Sequence, residues 1–331
     1  WLKNVGYGRT EIADAAYEQM LKLTYMPLGT TTEPAVRLAE KIAEITPGDL
    51  SRCFFTSGGS EAVETAMKLT RAYFKRMGES SRIKFISRKG SYHGATFGAL
   101  ALGSSAHFPK VDYEPLLAGC FHVPQPNPYR CELGGESPED CAERCVNAVE
   151  EMILFQGPET VAAVVAEPVS SPLGAIVPAP NYWPRLREIC DKYCILLVVD
   201  EVITGFRFDV KGGQKYFNIK GDLTCFGKGI GNGLPISAIS GPEEFMKVFD
   251  RLWVSSTNNA EALSMAGTVA VINEMEQKNT IQHCWERGTE LLEGWNRISN
   301  ENQLNAKMKG YPVRMFLDAS CLLYTSDAAD E

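Results

Sequence analysis

Six short apolar runs, separated by stretches of helical periodicity, constrain this chain more than any other feature. They are Arg52–Ser57, Arg82–Ser87, Val161–Ala166, Ile195–Asp200, Leu223–Phe226 and Ile236–Ser240. Between them, Ser60–Lys75 is helical by period: Val63, Ala66, Met67, Tyr73 and Phe74 share one face, and Glu64 and Lys68 can pair four residues apart on another. Ser137–Gln156 carries its own boundaries, with Ser137 as cap, Pro138 at the first helical position and Gly157 closing the end. Asn181–Tyr193 is a third helix, with Tyr182, Leu186, Ile189 and Tyr193 inward. Buried strands separated by helices imply the α/β class: a mostly parallel sheet with helices on both faces. Residues 51–258 are expected to form this sheet domain. Residues 1–50 and 259–320 are largely helical and are expected to contribute to a second, smaller domain. Gly103–Arg130 breaks the rhythm with five prolines, so it is expected to be an ordered surface excursion or a lid.

Bulk properties narrow the function. A length of 331 residues suits one large domain plus part of another. The net charge of -8 disfavours nucleic acid or an acidic membrane surface as partner. No run is apolar for long enough to cross a bilayer, and the opening residues lack a signal-peptide pattern. The ten cysteines are scattered, as in a reducing cytoplasm. Cys141 and Cys145 resemble half a metal site, but they fall on one apolar stripe with Ala148, Val149 and Met152, which favours core packing. The four histidines have no metal-ligand spacing, so no metal is expected. The chain begins at Trp1 without a methionine, and its end, "CLLYTSDAADE", resembles a translated sequencing adapter. Residues 321–331 are therefore expected to be non-native, and the chain to be a piece of a longer enzyme. Such a piece would leave apolar surface uncovered and could be inactive.

The stretch "CFFTSGGSEAVETAMKLTR" admits two chemistries. As a nucleophile elbow it makes Ser60 the attacking group of a hydrolase. As a phosphate cup it presents bare N–H groups at a helix start. A hydrolase also needs a histidine; of His93, His107, His122 and His283, only His283 follows an acid such as Asp200, and it lies in a polar helical region. Elsewhere, "CILLVVDEVITGFRF" ends a strand with Asp200 at the edge where open parallel sheets bind ligands. "DLTCFGKGIGNGLPISAISG" ends another with Lys228 among glycines. Its Gly-x-Gly pattern does not suit a dinucleotide fold, because Pro235 blocks the required helix. A phosphate cup, a strand-end carboxylate and a glycine-flanked lysine together are what pyridoxal phosphate requires. The helix dipole would hold the phosphate, Lys228 would form a Schiff base, and Asp200 would keep the pyridine nitrogen protonated.

These segments, with "GSYHGATFGALALGSS" and "VAAVVAEPV", resemble the class III, fold-type I pyridoxal-phosphate aminotransferases, in particular the omega-amino-acid:pyruvate group, from about Tyr7 to Arg314. The resemblance implies that Gly59 and Ser60 bind phosphate, Tyr92 stacks on one face of the ring, and Val202 packs on the other. It implies Asp200 as partner of the pyridine nitrogen and Lys228 as the Schiff-base lysine. Glu167 would sit beside the cofactor and help admit or exclude a substrate carboxylate. Thr257 would reach the phosphate of a neighbouring subunit, making a homodimer with shared sites. The implied activity moves an amino group from an amine or omega-amino acid to a keto acid. The stretch "TGFRFDVKGGQKYF" departs from the group's usual Gly-Phe-Gly-Arg-Thr-Gly continuation. With "SSTNNAEALS", it is closer to the glutamate-semialdehyde aminomutases, which keeps an aminomutase as the alternative. The family's C-terminal part, which often carries an arginine for a second carboxylate, lies beyond Ser320.

Overall fold

The computed structural model describes residues 2–27, 30–105 and 109–319. The adapter-like tail and His107 lie outside the described residues.

Seven strands make the main sheet: β1 (Arg52–Thr56), β2 (Lys84–Arg88), β3 (Cys120–Val123), β4 (Val161–Ala166), β5 (Leu196–Glu201), β6 (Leu223–Phe226) and β7 (Ser237–Gly241). Their order is β1-β7-β6-β5-β4-β2-β3. Only β7 runs against its neighbours, so the sheet is mostly parallel, as the apolar runs imply. The helices are α1 (Thr10–Lys22), α2 (Glu33–Ile45), α3 (Gly59–Arg76), α4 (Phe97–Leu102), α5 (Pro138–Gln156), α6 (Tyr182–Lys192), α7 (Gly212–Phe217), α8 (Glu243–Met246), α9 (Ala262–Gln277) and α10 (Thr280–Glu301).

Strand alternation divides the core into two layers. Along β5, Leu197 and Val199 join α5 and α6 on one face, while Leu196 and Val198 join α3 on the other. Every residue of β4 and β5 is buried, and each large aliphatic side chain so placed contributes about 1.5–3 kcal/mol. A third cluster joins α2 and α9 to Phe206, Phe226 and Ile230 behind the end of β6. The bounds of α5 agree with its sequence signals: the Ser137 hydroxyl accepts from the Asp140 N–H, and Gly157 follows with φ 85°.

One local expectation fails and two are incomplete. Glu64 does not pair with Lys68; its carboxylate accepts the N–H groups of Gly98 and Ala99 at the start of α4, a better partner than a solvated ammonium. The Gly103–Arg130 stretch contributes the edge strand β3, paired to β2 between the prolines. After α10 the chain forms an antiparallel hairpin, β8 (Lys307–Tyr311) with β9 (Arg314–Asp318), where helix was expected.

Candidate active site

Strands β1, β2, β4, β5 and β6 all point their C-terminal ends to one edge of the sheet, and there a cleft opens. Gly59, Ser60, Tyr92, His93, Glu167, Asp200, Val202 and Lys228 line it. Seven of these eight are the residues singled out in the sequence; Thr257 is not among them and is exposed elsewhere. A larger hollow of about 480 Å³ lies between α2 and β1, but its wall carries no lysine, histidine or buried carboxylate.

One side of the cleft is the start of α3. Gly58, in extended conformation, precedes the first helical residue, Gly59, so the first-turn N–H groups face outward without intrahelical partners. The Ser60 Oγ accepts the Ala95 N–H at 3.0 Å, which leaves the hydroxyl proton to be donated. No histidine among the described residues bonds to Ser60, so the hydrolase arrangement is not formed. Glycine at 59 is a packing requirement: a Cβ there would lie 2.7 Å from Val202 Cγ1.

Asp200 and Glu201 divide their work by strand alternation. Glu201 turns away from the cleft and accepts the N–H groups of Gly213 and Gln214 and the Thr204 hydroxyl, fixing α7. Asp200, 5% exposed, faces the cleft. Its Oδ1 accepts the Val202 N–H at 3.0 Å, and its Oδ2 lies 2.8 Å from His93 Nδ1. Burial pushes the His93 imidazole down, but the hydrogen bond to Asp200 and the charges of Glu167 and Asp200 outweigh it, and the pKa is raised. Behind His93, Glu167 is tied to the Arg88 guanidinium at 3.0 Å and to the Ser170 hydroxyl. Asp200–His93 and Glu167–Arg88 are thus two bonded pairs in one buried polar row, with His93 Nε2 3.9 Å from the Glu167 carboxylate. His93 and Arg88 were not singled out as partners of the site. His93 was weighed only as a hydrolase histidine, and its signal was its place in "YHG" beside Tyr92. Arg88 gave little signal, because Lys84 opens the same strand and Lys89 follows it.

Lys228 follows β6 and Gly227 at φ 45°, a left-handed conformation disfavoured for a residue with a Cβ. Among the described residues its ammonium makes no hydrogen bond and no ion pair within 4 Å. Burial lowers its pKa, and the charge of Asp200 only partly offsets this. The arrangement offers anion-binding N–H groups, an oriented carboxylate and an unpartnered amine of lowered basicity around one space, which fits pyridoxal phosphate. His93 Nε2 in that wall is buried without a hydrogen bond.

Residues 1–311 match the family described as Aminotransferase class-III. The chain belongs to this family. Pyridoxal phosphate is the cofactor of class-III aminotransferases. The chain is 44% identical over 249 residues to "Probable aminotransferase Rv3329" of Mycobacterium tuberculosis, covering 74% of this chain and 53% of that protein. It is 33% identical over 326 residues to the taurine–pyruvate aminotransferase of Bilophila wadsworthia, covering 94% of this chain and 69% of the relative. The solved (S)-enantioselective omega-transaminase of Thermomicrobium roseum superposes with a TM-score of 0.90 at 30% identity, over 99% of this chain and 75% of that one. The chain therefore spans about half the length of the mycobacterial relative. Among the described residues, no helix is long and apolar enough to cross a membrane.

Proposed function

We propose that this chain is the cofactor-binding portion of an aminotransferase that moves an amino group from an amine or omega-amino acid to a keto acid. The observation that carries the reading is the unpartnered, half-buried Lys228 amine, of lowered basicity, in one cleft with Asp200 and the start of α3. When bound, pyridoxal phosphate supplies an aldehyde that takes up the amino group and a ring that stores the electron pair left at the substrate carbon.

The chain's residues divide the remaining work. The N–H groups at Gly59 and Ser60, with the Ser60 hydroxyl, bind the phosphate at the positive end of α3. The Asp200 carboxylate, fixed through both oxygens, would accept a hydrogen bond from the protonated ring nitrogen. Val202 and Tyr92, which both line the cleft, would enclose the cofactor ring. Lys228, with a larger neutral fraction than a solvated lysine, takes the proton from the substrate carbon and returns it at the cofactor side. Glu167, committed to Arg88, stands 3.9 Å behind His93, whose Nδ1 is bonded to Asp200; admission of a substrate carboxylate at Glu167 would need the Arg88 pairing to open.

We further propose a homodimer in which Thr257 completes a neighbour's phosphate site. Its support is that Thr257 lies outside its own chain's cleft, exposed, four residues from a Trp253 that is 91% exposed. The free thiols suit the cytoplasm.

The test is a panel of amine donors with a keto acid, followed by product analysis. Aminotransfer requires the keto acid for sustained turnover. Turnover of a single substrate without one would replace this reading by the aminomutase. No amine consumption with any donor, in protein that binds the cofactor, would overturn both.

A further inference from the structure

Remote from the cleft, on the α5 side of the sheet, three cysteines converge. Cys141 and Cys145 stand one turn apart on α5, and Cys131 reaches them from the preceding loop; the three sulfurs all lie within 4.8 Å of one another. Core packing accounts for the first two, which are buried among Val146, Val149 and Tyr182. Cys131 and Leu133 of the loop pack, partly buried, against the same cluster. There Gly134 takes φ 68°, and Gly135 lies so close over α5 that a Cβ would meet the Cys141 backbone at 2.6 Å. The Arg144 guanidinium, bonded to Asp140 and to the Leu133 carbonyl, ties the loop to α5. Further bonds, from Glu136 N–H to Asp140 and from Asp140 N–H to Ser137, hold the loop on the helix.

We propose that Cys131, Cys141 and Cys145 form a binding site for a thiophilic metal ion, Zn²⁺ or Cu⁺, that fastens the 127–137 loop to α5. Thiolate–zinc bonds of about 2.3 Å place sulfurs about 3.8 Å apart in a tetrahedron and about 4.0 Å apart in a trigonal plane. Closing the observed triangle onto an ion therefore takes sulfur displacements of about 1 Å at most. Soft sulfur donors select Zn²⁺ and Cu⁺ over Mg²⁺ and Ca²⁺. The Asn127 carbonyl, 3.5 Å from Cys141 Sγ, marks where a fourth, oxygen ligand or a water completes a zinc shell; three thiolates alone satisfy Cu⁺.

The test uses the whole chain, reduced and stripped with a chelator. It is titrated with Cd²⁺, whose bonds to thiolate absorb in the near ultraviolet, and then with Zn²⁺ and, separately, Cu⁺ as competitors. One tightly held ion per chain is expected in the parent and in Cys194→Ser, an exposed cysteine outside the cluster. Cys131→Ser, a change at the half-buried loop position, should weaken binding by more than the roughly 10–100-fold that outer-shell changes cost. Zn²⁺ should raise the melting temperature of the parent and leave that of Cys131→Ser unchanged. Which competitor displaces Cd²⁺ identifies the ion. Retained visible absorbance with added pyridoxal phosphate shows that a variant is folded, and Cys131→Ala replaces one that is not. Absence of tight binding in the parent, binding in the Cys131 variants as tight as the parent's, or a Cys131–Cys141 disulfide without metal uptake would overturn the site.

Discussion

The contact between Gly59 and Val202 allows the cofactor cradle to be perturbed with a single methyl group. In Gly59→Ala the backbone is compatible, since φ at this position is not left-handed, and alanine is the better helix former by about 1 kcal/mol. On helix propensity alone the variant should gain stability. However, the new Cβ would sit 2.7 Å and 3.2 Å from the two Val202 methyl carbons. Val202 is stiff at χ1 and already backs onto Gly227, where a Cβ would lie 3.1 Å from the same methyl. The remaining direction of relief is into the cleft, where the cofactor ring would lie. Overpacking of this kind costs about 1–3 kcal/mol, or roughly 5–150-fold in cofactor dissociation constant if the strain falls on the bound state. The assay is a titration with pyridoxal phosphate followed by visible absorbance, run beside thermal melts of the cofactor-free protein. Val202→Ala should restore most of the affinity in the double variant, a coupling of about 0.5–3 kcal/mol. Normal affinity in Gly59→Ala, or a double variant no better than the single, would refute the account of the cradle.

Further expectations rest on other contacts. Ser60→Ala should raise the cofactor dissociation constant by about tenfold, the value of one hydrogen bond to a charged group, and leave turnover at saturating cofactor unchanged; loss of turnover at saturation would count against a binding role. His93→Asn should weaken cofactor binding by releasing Asp200, and it should also change the pH dependence of stability. Because the folded-state pKa of His93 is raised, its contribution is fully present below the unfolded value of about 6.5 and is lost as pH climbs through the folded value. Melting temperatures across that window should fall in the parent and flatten in the variant; parallel curves would refute the assignment. Glu201→Ala should leave three buried donors without acceptors and cost about 3 kcal/mol or more by chemical denaturation, although Glu201 faces away from the cleft.

What the sequence made legible and what it hid have physical causes. Strands β4 and β5 are covered on both faces, so they read as unbroken apolar runs, and a charge at the end of such a run, as at Asp200, stands out. Lys228 stands out for the related reason that glycines flank it where the chain turns after β6. The α5 boundaries were visible because Ser137, Pro138 and Gly157 each satisfy a local requirement of a helix end. β3 was hidden because an edge strand of four residues between prolines has too short a pattern to show period two. The β8–β9 hairpin turns at Pro312–Val313, without the Asn-Gly signal that marks tight hairpins. His93 and Cys131 were hidden for a different reason: their partners lie 107 and 10 residues away, and only the folded chain brings them together. Glu64 shows that a helical pair four residues apart can be overruled by an adjacent helix start that needs an acceptor.

Peptide mapping after borohydride reduction in the presence of pyridoxal phosphate tests the central claim most directly. Reduction locks the cofactor to whichever amine holds it. The account requires the added mass on the peptide containing Lys228, absent when Asp200→Ala abolishes binding. Cofactor fixed to another lysine, with the Lys228 peptide recovered unmodified, would contradict it.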